Sequence, residues 1–388
     1  MLIRRGLVFD GESGFVKTDV AVDGDRISET AQLADYGRDE IFDASECYVL
    51  PGFVDIHSHG AMNADLCDAD SNGLERMLSY YGTIGVTSVV PATMSYPEEI
   101  LSDVIKISSP YFGRDGFGAV LRGINLEGPF LNPKRLGAQN PSYITDPDTG
   151  FFNRLYELSG GRILIVCVAP ELPRGIEFIR EASKKCAVSL AHTDADYDTA
   201  IAAFDAGASL VTHIFNATSP FAHRAPGVIG AAFDRASHVE LIADGVHLHP
   251  ATVRAAFAMF KAGRICLVSD SIRAAGMPGG TYRLGGLPVL VKDGRATLED
   301  GAHSIAGSVV NLADACRRAI SFGIPIEQAL RASTSNPAKA AGLYEEIGSL
   351  ERGKRADIVV WDKNLRTRAV FIGGKMVAGD SAVIQKRP

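Results

Sequence analysis

Between about residues 50 and 275 the chain repeats one unit eight times: a short β-branched apolar run ending in polar residues, a loop, and a stretch of helical periodicity. The runs are YVLPGFVDIHSHG, TSVVPATM, VLRGINLEGPF, RILIVCVAPE, CAVSLAHTDA, SLVTHIFNAT, HVELIADGVH and RICLVSDS. Between them, segments such as SNGLERMLSYYGTIG, RGIEFIREASKK and PATVRAAFAMFKAG carry the spacing of amphipathic helices. A strand that is apolar on both faces belongs in a parallel sheet covered by helices, and eight strand-helix repeats close into a (β/α)8 TIM barrel. An open doubly wound sheet is the alternative. The polar ends of the runs decide between them: His57, His59, Glu127, His192, His213, His247 and Asp270 lie at or just beyond them. A barrel brings such ends together on one face. In an open sheet, with strands about 4.8 Å apart, the first and last would lie tens of ångströms from each other.

The two ends of the chain have another texture. Residues 1–50 and 351–388 consist of short alternating strands with Gly and Asp turns, as in LIRRGLVFDG and ADIVVWDKNLRTRAVFIGGKMVAGD. They are expected to form one small β-sandwich domain split across the termini, leaving 51–350 as the barrel. A further β-like stretch near 279–301, GGTYRLGGLPVLVKDGRATLEDG, interrupts the pattern after the eighth run and reads as a hairpin-like insertion.

Composition narrows the partners. With 39 basic against 46 acidic residues the net charge is −7, which disfavours a nucleic-acid or anionic-membrane surface, so an anionic ligand needs a local pocket. No apolar stretch approaches the roughly 18 residues that cross a bilayer, and MLIRRGLVFDGESG turns polar before a secretory apolar region forms. The expectation is a cytoplasmic protein. Cys47, Cys67, Cys167, Cys186, Cys266 and Cys316 are scattered without a C-x-x-C pair and read as reduced, buried packing residues.

The chemistry begins with His57 and His59. Two residues apart on a strand, they face the same way and can bind one metal ion, although H-S-H alone is a weak signal. Glu127, His192 and His213 strengthen it, because each ends an apolar run where a polar group has no packing purpose. A buried carboxylate is costly unless paired or coordinated. Two ions account for the set: His57 and His59 on the first with Asp270 completing it, His192 and His213 on the second, Glu127 between. Imidazoles with carboxylates suit zinc, or iron, manganese or cobalt. Water held between the ions is acidic enough to act as nucleophile near pH 7, and Asp270 is the natural proton shuttle.

PGFVDIHSHG, LEGPF, AHTDA, THIFNA, ADGVH and LVSDS, in this order, resemble the amidohydrolase superfamily, and specifically its N-acetylglucosamine-6-phosphate deacetylases. LEGPFLNPKRLGAQNP, LVTHIFNATSPFAHRAPGVIG, SIAGS, TSNPAKAAGL and GSLERGKRADIVVWD extend the resemblance over nearly the whole chain. It implies a metal-bearing barrel with a small β-sandwich from both termini, and hydrolysis of the acetamide to glucosamine-6-phosphate and acetate. It implies that Glu127, His192 and His213 ligate one metal, that His57 and His59 allow a second, and that Asp270 is the catalytic acid/base. Asn216 and Ala217 match the phosphate grip, with Arg224 reaching into the neighbouring subunit of a homodimer. His247 matches a sugar-contacting histidine, Ala138 a substrate contact, and Ile305, Ala306 and Gly307 a backbone stretch lining the sugar pocket. Gln139 stands where single-metal members have a carbonyl-polarising histidine; glutamine carries no charge, so a metal is expected to take over that role.

Alternatives stay open for several residues. The galactosamine epimer is a rival substrate, and a catalytically silent scaffold of the same fold is a rival class. Arg273, just past the eighth run, is a second phosphate candidate. Asp55 and Asp65 are either groups that orient His57 or His59 or turn-capping aspartates, and Asp244 has the same ambiguity beside His247. Glu171 is expected near the barrel mouth without assigned chemistry. His223, His238, His249 and His303 are expected as surface or capping residues.

Overall fold

The computed structural model describes residues 1–11, 14–31, 40–299 and 304–379, and the backbone of 384–386. Its fold is α/β. Eight parallel strands, numbered β1–β8 along the chain, are Phe53–Asp55, Val86–Val89, Ile124–Leu126, Ile163–Val168, Ala187–Leu190, Leu210–Val211, His238–Ile242 and Ile265–Val268. Each is followed by a helix, α1–α8: Ser71–Thr83, Glu98–Ser108, Thr149–Leu158, Gly175–Ala182, Tyr197–Asp205, Gly227–Arg235, Pro250–Phe260 and Leu312–Ser321.

Ladders run β1–β2 and β3 through β8 in parallel register, and a bridge between Ala92 and Asn125 joins the two groups. The cylinder closes where the first and last strands end: Asp270 N donates to His57 O at 2.8 Å, and His59 N to Ser271 O at 2.7 Å. The strands are mostly apolar because both faces are covered. Val54, Ile165, Leu210, Ile242 and Val268 from five of them, with Val90 just past β2, belong to one buried cluster. Their neighbours Phe53, Val89, Val166, Val188, Val239 and Leu267 join a second with the helices.

The chain ends build a nine-stranded sheet. Leu2–Phe9, Phe15–Asp23, Arg26–Ala31 and Tyr48–Pro51 lie beside Ile358–Trp361, Thr367–Ile372 and Lys375–Gly379. Glu40–Asp43 and Ile384–Lys386 branch off the main path, and Phe42 meets Phe371 edge-on at 5.5 Å between ring centres, which lays the branch over the sheet. The stretch after β8 forms three antiparallel strands, Gly280–Leu284, Leu287–Lys292 and Arg295–Leu298.

Cys167, Cys266 and Cys316 are buried as expected of packing residues; Cys47, Cys67 and Cys186 are only partly covered, and all six thiols are free. No helix among the described residues is long and apolar enough to cross a membrane.

Candidate active site

Polar side chains gather where the barrel strands end. His57 and His59 follow β1, Glu127 follows β3, His192 β5, His213 β6 and Asp270 β8. All six are buried. His192, His213 and Asp270 have positive φ (45°, 27° and 47°), a backbone state that non-glycine residues adopt at a cost, here where the chain turns sharply off its strand.

Glu127 stands at the centre. Its Oε1 is 3.2 Å from both His192 Nε2 and His213 Nε2 and 3.6 Å from His57 Nε2. Its Oε2 is 3.5 Å from His59 Nε2. Asp270 Oδ1 lies 3.2 Å from His59 Nε2 and 3.8 Å from His57 Nε2. Two sets of potential ligand atoms result, His57 with His59 and Asp270, and His57 with Glu127 and His213.

The fit to a cation can be argued from protons. Three rings turn Nδ1 toward an acceptor: His57 to Glu240 Oε2 at 2.8 Å, His59 to Ala92 O at 3.2 Å, His192 to Arg135 O at 2.7 Å. Nδ1 of each therefore carries the hydrogen, and in a neutral ring Nε2 presents a lone pair. Those lone pairs face carboxylate oxygens, an arrangement that needs a positive charge in the middle. His57 Nε2 is buried without a hydrogen-bond partner among the described residues, as a ligand atom is. The same imbalance moves the protonation equilibria. Burial works against charge on His57, but Glu240 and Glu127 raise its pKa well above the ordinary value. Burial opposes ionisation of Asp270 too, yet His59, His57 and His213 hold it down at about 2. This donor set suits a divalent ion.

A cavity of about 290 Å³ opens over the cluster, lined by His59, Glu127, His192, His213 and Asp270 and by Met94, Gly137, Ala138, Gln139, Asn216, Ala217, His247, Leu284, Ser304, Ile305 and Gly307. His247 is held by Asp244, whose Oδ2 is 2.8 Å from its Nδ1 and whose Oδ1 accepts from Val246 N and His247 N. Asp244 thus orients its histidine.

The structure places the remaining residues individually. Gln139 borders the cavity, but its amide is spent on the protein: Nε2 donates to Glu127 Oε2 at 3.0 Å and Oε1 accepts from Ser95 N at 2.8 Å. Ala306 is fully buried against the three-stranded insertion, its N donating to Ala296 O, so only Ile305 and Gly307 of that stretch reach the cavity. Arg273 stands apart from the cavity: it donates to Asp68 Oδ1 and Arg283 O and lines a separate recess with Asn63 and Tyr282. Arg224 lies exposed on its loop, 2.7 Å from His223 Nε2 and outside this chain's own cavity. Asp65 caps a short 3-10 turn, Leu66–Asp68, rather than holding a histidine ring. Asp55 accepts from His57 N and Ser269 N, and burial raises its pKa to about 6. His249 caps α7, and His238 opens β7 half-buried instead of lying on the surface. His303 lies outside the described residues.

Two acids take roles that the run ends alone do not reveal. Glu240, inside β7, is the group that meets His57 Nδ1. Glu171 has a task after all: it accepts from Asn132 Nδ2, Thr193 Oγ1 and Asp194 N, all at 2.6 Å, fastening the loop that carries His192. An acid in the middle of an apolar run, HVELI, is the signal that marks Glu240.

Comparison with known proteins fits this geometry. Residues 48–377 match the model of the amidohydrolase family. N-acetylglucosamine-6-phosphate deacetylase of Bacillus subtilis is 37% identical over 83% of this chain and 82% of its own length. N-acetylgalactosamine-6-phosphate deacetylase of Escherichia coli O157:H7 is 32% identical over 85% of this chain and 88% of its own. A point mutant of the N-acetyl-D-glucosamine-6-phosphate deacetylase of Mycobacterium smegmatis, solved in complex with N-acetyl-D-glucosamine-6-phosphate, superposes with a TM-score of 0.91 at 32% identity, covering 97% of this chain and 99% of that one.

Proposed function

Because the chain belongs to the amidohydrolase family, we propose that it is a metal-dependent deacetylase, hydrolysing the acetamide of N-acetylglucosamine-6-phosphate to glucosamine-6-phosphate and acetate. The observation that carries the reading is the cluster of four histidine rings and two carboxylates at the floor of a cavity of about 290 Å³. A silent scaffold of the same fold would have lost some of these six groups.

His57, His59 and Asp270 would hold one ion, His192 and His213 another, with Glu127 reaching both. Zinc or iron suits the donors best, with manganese or cobalt as alternatives, one or two ions per subunit. A divalent ion bound there makes water a nucleophile near neutral pH and polarises the substrate carbonyl. Asp270 Oδ1 takes the proton of the attacking water and returns it to the amine nitrogen as the C–N bond breaks. Gln139 does not touch the carbonyl in this scheme; it holds Glu127 Oε2 in place.

His247 faces the sugar, and Ala138, Ile305 and Gly307 form walls of its pocket. Asn216 and Ala217 grip the phosphate, and Arg224 adds a charge from the neighbouring subunit of a homodimer. Ala217 at φ 50° is turned out of ordinary strand geometry, as a main chain aimed at a ligand would be. Holding the phosphate far from the scissile bond positions the amide for attack. Six unpaired thiols suit a reducing compartment, and we place the enzyme in the cytoplasm.

Acetate release from N-acetylglucosamine-6-phosphate and N-acetylgalactosamine-6-phosphate, measured side by side with the metal content of the purified protein, tests the reading. The first sugar is expected to have the higher kcat/KM on metal-loaded protein. Preference for the second would reassign the substrate; no acetate from either would remove the activity.

A further inference from the structure

Glu240 occupies the centre of β7 and is fully buried. In a strand covered on both faces a leucine would pack there without loss; a carboxylate loses its hydration. It recovers little through conventional pairing, since Oε1 has no hydrogen-bond partner among the described residues. Everything is concentrated on Oε2, which is 2.8 Å from His57 Nδ1 and 3.2 Å from His213 N. The main chain adds to the second contact, with Ile214 N donating to Glu240 O at 2.9 Å.

The other rings are oriented by neutral groups. His59 and His192 give their Nδ1 hydrogens to main-chain carbonyls, and His213 Nδ1 has no hydrogen-bond partner among the described residues. Of the four rings in the cluster, His57 alone leans on a carboxylate through Nδ1 among the described residues. His57 is also the ring common to both sets of candidate ligand atoms. His213 leaves its strand at φ 27°, a strained turn that a fixed acceptor beneath its N–H helps to hold.

We infer that Glu240 is the positioning residue of the centre: one buried carboxylate oxygen fixes the tautomer and tilt of His57 and pins the main chain at His213, setting both halves of the cradle together. The inference rests on the metal-centre reading above. Glu240 touches no substrate; it acts through the two histidines. With Nδ1–H committed to Glu240, the His57 lone pair is confined to Nε2 and aimed at the space between Glu127 and Asp270. A charged acceptor also makes that nitrogen a stronger donor than a carbonyl would.

The test uses full-length protein stripped with chelator and titrated with zinc by calorimetry, for wild type, Glu240→Gln and Glu240→Asp. Loss of an outer partner to a ligating histidine typically costs about 10- to 100-fold in metal affinity. Glu240→Gln is expected to weaken zinc binding by that order, with Glu240→Asp intermediate. The cobalt-loaded variants should show shifted visible absorption bands, which a merely structural defect in correctly folded protein would not produce. Circular dichroism of the metal-free variants checks the fold, and Glu240→Asp serves if Glu240→Gln does not fold. Wild-type zinc affinity together with an unshifted cobalt spectrum in the folded variants overturns the inference. If wild type itself binds no divalent ion, the metal-centre reading falls and takes the inference with it.

Discussion

His247 and Asp244 form a buried pair, 2.8 Å between Nδ1 and Oδ2, that fixes which face of the imidazole meets the cavity. Burial by itself lowers the pKa of His247, but the hydrogen bond and charge of Asp244, with Asp270 behind it, raise it above the ordinary value. Asp244 shifts the other way, its desolvation outweighed by His247 and by the Val246 and His247 N–H groups. The stabilisation on His247's account is complete below the unfolded value of about 6.5 and fades as pH rises through the folded one. On Asp244's account it is complete above about 3.9 and is lost as pH falls through its lowered value. Asp244→Asn should therefore let His247 lose its proton at lower pH. An NMR titration of the His247 ring that leaves the midpoint unmoved would refute this.

Asp270→Asn removes the proposed proton carrier while leaving an oxygen at the same place. General acid-base groups contribute about 10²- to 10⁴-fold, so kcat should fall by at least that order while metal remains bound. Acetate release and metal content on the same preparation give the answer, and wild-type turnover would take Asp270 out of the reaction.

Gln139→Ala separates two roles. If the side chain supports Glu127 rather than substrate, KM should stay near wild type while metal affinity and stability fall. Leaving Ser95 N and a Glu127 oxygen without their partner costs about 1–3 kcal/mol. A large rise in KM with unchanged metal binding would return Gln139 to the substrate.

His57→Asn combined with His59→Asn should reduce the metal bound per subunit and depress kcat, since in the proposed scheme a metal ion, not Gln139, polarises the carbonyl. Full activity with unchanged metal content would show that this pair is dispensable.

Much of this architecture was legible because parallel strands buried on both faces read as unbroken apolar runs, and the residues that interrupt them at the ends are those with other work. His57, Glu127, His213 and Asp270 stood out for that reason. What the sequence concealed was direction. Gln139 and Ala306 sit in motifs that touch the cavity, yet the amide of one turns to Glu127 and the methyl of the other to the insertion. Arg273 lies just past β8, but nearby Asp68 claims its charge. Glu240 is harder to see because it interrupts a run in its interior rather than at its end, although an acid between Val239 and Leu241 has no packing reason to be there.

The seam between β1 and β8, where Asp270 N meets His57 O, also bears on when the enzyme becomes competent. Ligands on either side of that seam are separated by more than half of the polypeptide. A nascent chain on the ribosome therefore has no complete cradle until β8 has emerged and locked against β1. His57 and His59 thus wait on the last strand of the ring for the carboxylate that completes their set of donors.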